Sequence, residues 1–468
     1  MFSNSMNRRN AIKTVSSLFG SMAFAALATE QLKAGDFSNL GLQETDQPLA
    51  AKQPHFEPRA KRVIFLSMRG APSHVDTFDY KPKLNRDAGR RATTGNGRLL
   101  ASPWKFKQRG DNGLWMSDLF PNLASVADEL CMLKGMHCDN PNHSEATVAV
   151  HTGNAQFVRP SFGAWSLYGL GTMNVDLPGF IVLGPAGGAQ TYGSAFLPAY
   201  YQGTPLGSGN RALARLNRNQ EFKVPNIANQ KLPTKAQRLQ LDYIQSLNKK
   251  KLKQDVRQQQ VEGMIQSMEL AFSMQSTMPE LLDLSNETEK TRQLYGMDET
   301  NTEPFGKQCL TARRMIEAGV RFVEVTNGGW DHHVNLKDEM EDHCPQIDKP
   351  IAGLITDLKQ RGLLKDTLVI WAGEFGRTPH GQGGNGRDHN NRGYTTFMAG
   401  GGVKGGYSYG ATDDYGYEAV EGKMHTHDWH ATILHLLGLD HERLTFRHAG
   451  RDFRLTDVHG KVAKDILA

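Results

Sequence analysis

Four stretches of this chain gather side chains that could hold a divalent metal ion or an anion. The first carries Arg69, Ser73, His74, Asp76 and Asp79. The second is Gly328-Gly329-Trp330-Asp331-His332-His333. The third is Gly373-Glu374-Phe375-Gly376-Arg377-Thr378-Pro379, and the fourth is Gly386-Arg387-Asp388-His389-Asn390. Imidazole mixed with carboxylate suits zinc, manganese or iron better than calcium. Asp331 and His333 stand two apart, so an extended backbone turns both to one side, within reach of one ion. One Asp-His pair alone is more often a cap or a surface contact. Several such clusters at strand ends point to shared metal binding. Arg69, Arg377 and Arg387 are planar, bidentate donors that fit phosphate or sulfate. Each could instead pair with a nearby carboxylate.

A fifth stretch, Asn140-Pro141-Asn142-His143-Ser144-Glu145-Ala146-Thr147, opens a helix that runs to Thr152-Gly153. A helix N-terminus offers free N–H groups and the positive end of a dipole. A hydroxyl there, as on Ser144, would be a good nucleophile toward a phosphoryl or sulfuryl group, above all beside a metal. The plainer role, and the favoured one, is that Asn142 or Ser144 caps the helix.

The elements that must carry these loops are short, apolar and β-rich. Arg62-Val63-Ile64-Phe65-Leu66-Ser67-Met68 stops at Arg69-Gly70. Three more runs, over 321–325, 367–371 and 394–398, stop at Asn327-Gly328-Gly329, Gly373 and Gly400-Gly401-Gly402. Such runs read as buried strands. Residues 308–319 and 349–362 have helical spacing and end in Gly. Helix, Gly, strand is the order of an α/β fold, a mostly parallel central sheet flanked by helices. In such sheets ligands bind beyond the carboxyl ends of the strands, where these loops fall. Residues 235–300 differ. They are rich in Gln, Lys and Met, poor in Gly, and periodic through Leu241, Ile244, Met264 and Met268. They read as a helical insertion or cap in which Met packs rather than binds.

The totals narrow the class. The chain has 468 residues, 38% hydrophobic and 22% charged, an ordinary globular balance. A net charge of +5 over that length argues against nucleic acid as a partner. The 48 Gly residues exceed the usual ~7%, so tight loops abound. Cys131, Cys138, Cys309 and Cys344 are too few for a disulfide scaffold and form no Cys-x-x-Cys zinc pattern; one disulfide stays open. At the N-terminus Arg8-Arg9 precede a weakly apolar run from Val15 to Ala28 that ends in small residues. That is the order of a signal peptide, and the arginine pair is of the twin-arginine type. The run is too short, and too rich in Ser, Gly and Ala, for a membrane span of ~20 apolar residues. The expected organisation is a signal peptide over 1–28, a polar linker over 29–58 and one α/β domain over 59–468. The mature protein would be periplasmic or extracellular, with no membrane span.

Residues 60–468 resemble an exported bacterial family known as domain of unknown function 1501. The most specific pieces are 70–79, 328–333, 373–379, 386–389, 400–412 and 427–440. That family is similar in turn to the alkaline phosphatase and sulfatase superfamily. The resemblance implies a metal-dependent hydrolase of phosphate or sulfate esters, with zinc or manganese as the metal. Its substrate would be a small anionic ester or a sulfated or phosphorylated glycan. Asp331, His333 and His389 would hold one ion. Glu374, with Asp76 or Ser73, would serve a second. The segment from Asn142 to Gly153 would be the nucleophile helix, with Ser144 or water attacking and Arg69 or Arg377 clamping the anion. Three positions depart from the superfamily pattern. Arg69-Gly70 stand where it has an Asp, Phe375 where it has a metal-binding His, and His143 at the nucleophile position. No Cys-x-Pro-x-Arg is present, which argues against a formylglycine sulfatase. Two other readings stay open: a non-catalytic binding protein for a surface glycan or partner, and a lyase or oxidative metalloenzyme acting on polysaccharide. The C-terminal His425, His427, His430 and His435 read as packing groups, with His427 or Asp428 as a cap.

Overall fold

The computed structural model describes residues 48–93, 95, 97–185, 187–207, 227, 232–254 and 259–468. The signal peptide and the first part of the linker expected from sequence lie outside the described residues. From residue 48 the chain lies against the domain. Lys52 donates its backbone N–H to Leu170, and His55 and Phe56 donate theirs to Gly438.

In chain order the strands are β1 (Arg62–Arg69), the hairpin β2 (Phe106–Arg109) and β3 (Leu114–Ser117), β4 (Leu130–His137), β5 (Phe180–Leu183), β6 (Thr204–Leu206), β7 (Phe322–Gly328), β8 (Thr367–Ala372), the hairpin β9 (Gly376–Gln382) and β10 (Gly386–Asn390), β11 (Tyr394–Ala399) and β12 (Tyr407–Tyr409). The central sheet has the order β12-β4-β11-β8-β1-β7-β5-β6, and the short strand Met424–His425 pairs with β4. β6, β5, β7, β1 and β8 run parallel. β11 is antiparallel to both β8 and β4. The fold is thus α/β with a mostly parallel sheet, as the order of helix, Gly and strand implies.

The runs are largely apolar because both faces of the sheet are covered. Val63 and Phe65 face one core, Ile64 and Leu66 the other. Helices α1 (His143–Thr152) and α2 (Phe162–Leu170) lie on the Phe65 side. Helices α3 (Thr234–Gln254) and α4 (Gln259–Leu282) occupy most of the Met-rich segment, and Met274 and Met278 of α4 enter the Ile64 core. Helices α5 (Glu303–Glu317) and α6 (Leu336–Gln360) complete that side. Helix α7 (Thr426–Leu436) returns to the Phe65 side. Among the described residues no helix is long and apolar enough to cross a membrane. All four cysteines are buried and free, so no disulfide forms.

Two elements differ from the sequence expectation. α6 starts at Leu336 rather than 349 and runs through Pro345 and Pro350. An interior proline costs ~3 kcal/mol. Against that stand Leu336, Met340, Cys344, Ile347, Ile351, Leu354 and Leu358, all buried at helical spacing. Each large apolar side chain contributes about 1.5–3 kcal/mol, so the stripe outweighs the prolines. The second difference is the β9–β10 hairpin, where loops were expected. Its inward side chains include Arg377 and Arg387, so no apolar run announces it.

His425 caps α7, and Asp428 accepts its backbone N–H in return. One turn on, His430 is fully buried and donates Nε2–H to the Val150 carbonyl. Burial first, then the nearby His427, His151 and His425, pull its pKa down to about 3 against the Val150 bond that raises it. The unfolded chain therefore takes up this proton near pH 6.5 while the folded chain resists it to about 3. Stability is present above 6.5 and falls as the pH drops through that window, by up to ~1.4 kcal/mol per unit. Urea unfolding at pH 7 and pH 5 should show this loss, and His430→Gln should lose less between the two.

Candidate metal centre

β8, β1 and β7 are adjacent and parallel, so the loops that follow them open at one edge of the sheet. Their close approach depends on Gly70, whose φ is +105°. A Cβ there would stand 2.6 Å from the Asp331 amide nitrogen. The Gly70 N–H donates to Glu374 Oε1 at 3.0 Å, which ties the loop after β1 to the loop after β8. Trp330, fully buried, anchors the loop after β7 by donating Nε1–H to Asn327 Oδ1 at 2.9 Å. His389 faces Arg377 across the β9–β10 hairpin. His143 is the first residue of α1, and Asn142 caps that helix by accepting the Ser144 N–H.

These elements bring four side chains together. Asp331 Oδ1 lies 2.8 Å from His333 Nε2, 3.0 Å from His143 Nε2 and 3.5 Å from His389 Nε2. The Nε2 atoms of His333 and His389 are 2.9 Å apart. All four ligand atoms fall within 4.8 Å of one another, and among the described residues no other group of three or more His, Cys, Asp or Glu does so.

The far nitrogen of each ring is also held. His143 Nδ1 meets Glu374 Oε1 at 2.6 Å, and His389 Nδ1 meets the Pro141 carbonyl at 2.6 Å. His333 Nδ1 meets Gln382 Oε1. All three partners are acceptors, so each Nδ1 carries the hydrogen and each Nε2 turns a lone pair inward. Arg377 sets its guanidinium against Asp331 Oδ1 at 2.7 Å and His333 Nε2 at 3.5 Å, and the lone pairs of His143 and His389 add to the attraction for a further cation. The buried His143 Nε2 also makes no hydrogen bond, although Asp331 is 3.0 Å away. A divalent ion fits this donor set, which is mixed imidazole and carboxylate. Phe375 packs against the rings of His143 and His389, with centroids 4.7 and 4.8 Å away, and so fixes two of the three imidazoles.

Local charges favour a positive charge beside His143, whether a proton or a metal ion. Burial works against protonation of His143, but Glu374 and then Asp331 overcome it and hold its pKa above the usual value. Burial and the Arg377 charge hold His389 below. Burial would raise Asp331, yet Arg377 and then His143 hold its carboxyl far below the usual range.

The other residues singled out in the sequence take different places. Glu374 is buried and reaches His143 and Gly70, outside the four-residue cluster. Asp76 is fully buried and paired with Arg387 at 2.6 Å, away from the four ligand atoms. Ser73 donates to Asp76 at 2.5 Å. Arg377 is fully buried and committed to Asp331 at 2.7 Å and to the carbonyls of Gly70 and Ala71, so it is not a free anion clamp. The Arg69 carbonyl accepts from the Gly329 and Trp330 N–H groups, but its side chain makes no hydrogen bond or ion pair with any described residue, and its Nε is buried without a partner. Ser144 is exposed on α1, outside the cluster. His143 entered the sequence reading only as the residue at the nucleophile position; Gln382 and the Pro141 carbonyl carried no signal. Partners of this kind fix the tautomer and basicity of a ligand. Glu374→Gln should therefore weaken zinc binding by about 10–100-fold without removing a ligand, as a competition titration with a chelating dye would read.

The class defined so far is an α/β protein with a three-histidine, one-aspartate cluster at the carboxyl edge of its sheet. The chain belongs to the family described as Protein of unknown function (DUF1501), which matches residues 60–467. No curated protein matches the sequence. Among solved structures it is similar to the PsFucS1 sulfatase from Pseudoalteromonas sp., at 15% identity and a TM-score of 0.36, over 82% of this chain and 69% of that one. It is also similar to an alkaline phosphatase superfamily protein from Vibrio parahaemolyticus, at 10% identity and a TM-score of 0.32, over 90% and 75%. A third is the phosphonate monoester hydrolase SpPMH from Silicibacter pomeroyi, at 9% identity and a TM-score of 0.32, over 81% and 73%.

Proposed function

We propose that this protein is an exported hydrolase of phosphate or sulfate esters that works with one divalent ion, zinc or manganese. The observation that carries the reading is the convergence of three inward-facing Nε2 atoms on Asp331, each with its Nδ1 held by an acceptor. A bound ion would supply Lewis-acid polarisation of the ester. Asp331, His143, His333 and His389 hold it, and Glu374 keeps His143 in the ligating tautomer. Arg69, its side chain free of described partners at the end of β1, binds the substrate anion. The attacking group is water or Ser144. Export is supported by Arg8-Arg9 and the run that follows them.

The test is turnover of aryl phosphate and aryl sulfate by zinc- or manganese-loaded protein. Wild type should hydrolyse one of them, and Asp331→Ala and His389→Ala should abolish it. Ser144→Ala separates attack by serine, where activity is lost, from attack by water, where it stays near wild type. Wild type inert toward both esters with either metal sinks the hydrolase reading. It would leave a metal-holding binding protein for a surface glycan, which the commitment of Arg377 to Asp331 and backbone favours.

A further inference from the structure

A cavity of about 470 Å³, apart from the metal cluster, opens between the β2–β3 hairpin and the loop that enters β12. Its size falls among small-molecule sites, about 300–1,000 Å³. None of its lining residues belongs to the metal cluster or to the groups that hold it. Lys134, on β4, an internal strand of the sheet, is among its lining residues. Met132 and Leu130 before it lie in the Ile64 core, and the register of β4 shifts between Leu133 and Met136, where Lys134 meets the cavity. Its ammonium makes no hydrogen bond or ion pair with any described residue. The nearest opposing charge, Asp79, already pairs with Lys81 at 3.1 Å and accepts the Thr412 hydroxyl. Burial pulls the Lys134 pKa down, and Asp79 offsets this only in part. Lys134 is half-buried and its ammonium has no partner among the described residues, so it is open to a ligand anion in the cavity.

The rest of the lining says what kind of anion. Lys404 adds a second ammonium, which donates to the Asp465 carbonyl at 2.8 Å and lies 5.2 Å from the Tyr407 ring centre. Trp115 and Tyr407 supply flat apolar surface, and Trp115 is steadied by Tyr80 at 4.6 Å between centroids. Gly405 and Gly406 bring backbone without side chains to the rim. Two ammonium groups beside aromatic rings suit a ring compound with an apolar face and one acid group. We infer that this cavity binds an anionic sugar residue, with its acid group on Lys134 and its ring against Trp115 and Tyr407.

Isothermal titration of the full chain with glucuronate, galactose 6-sulfate, glucose and sodium sulfate tests this. At least one of the two acidic sugars should bind one to one, and glucose and sulfate should each bind at least about 10-fold more weakly. Lys134→Met keeps the length of the side chain and removes the charge. It should weaken the acidic sugar by at least about 10-fold while leaving Tm unchanged or raised. His143→Ala, which removes a metal ligand, should leave this binding as it is, so the site stands or falls apart from the hydrolase reading. The inference is overturned if neither acidic sugar binds, if sulfate alone binds as well as the sugars, or if adenosine monophosphate binds and the sugars do not. Lys134→Met binding like wild type, or melting lower, would also overturn it.

Discussion

His143→Ala should strip the protein of tightly held metal. Wild type, loaded with zinc and dialysed, should keep one ion per chain by elemental analysis, and the variant close to none. The fall in affinity should exceed about 100-fold, the upper range for losing an outer partner alone. That margin separates two accounts of this residue. If His143 were a nucleophile or a helix-capping group, metal content would survive its loss. In the structure its Nε2 is buried, makes no hydrogen bond and points at Asp331, and its Nδ1 is tied to Glu374. Removing the ring also takes away a surface on which Phe375 packs, 4.7 Å between centroids. His143→Gln, which keeps bulk and a polar tip, controls for that packing loss and should still fail to retain the ion.

Arg387→Met should destabilise the fold by about 3–5 kcal/mol, the usual result of orphaning a buried charge. Arg387 and Asp76 are both fully buried. Their contact is bidentate, with Nε to Oδ2 at 2.6 Å and Nη2 to Oδ1 at 3.1 Å. Arg387 also donates to the carbonyls of Thr378, Pro379 and Leu100, so one side chain ties the β9–β10 hairpin to the chain that follows β1. Chemical denaturation should show the loss as a lower midpoint with an unchanged slope. Pairing the change with Asp76→Asn should recover part of it, since a neutral amide is less costly to bury than a carboxylate. Asp76→Asn alone should leave metal content untouched. An Asp76 that served a second ion, or an Arg387 that clamped substrate, would instead show its loss in metal content or turnover with stability preserved.

The strands of the central sheet were legible because a parallel strand buried on both faces is largely apolar, as 63–66 and 368–371 are. Asp331 and His333 were legible because they follow a strand and carry metal-competent side chains, and His389, inside β10, by its side chain alone. The start of α6 was not. Pro345 and Pro350 mark a helix boundary locally, and only the apolar stripe packed on the sheet overrides them. Nor was the hairpin, whose inward residues are charged.

By itself, then, the sequence determined that a metal-competent set of imidazoles and carboxylates stands at strand ends of an α/β fold. It could do so because residue type and strand-end position are local properties. Only the tertiary structure decided the membership. His143 joins from a helix 188 residues before Asp331, and Glu374 holds it from 231 residues away. Asp76 is withdrawn by an arginine 311 residues distant, and Arg377 by Asp331 itself. Whether a carboxylate binds a metal, orients a histidine or neutralises an arginine depends on which charge folding sets beside it. That choice is made by long-range pairing, to which no local pattern responds.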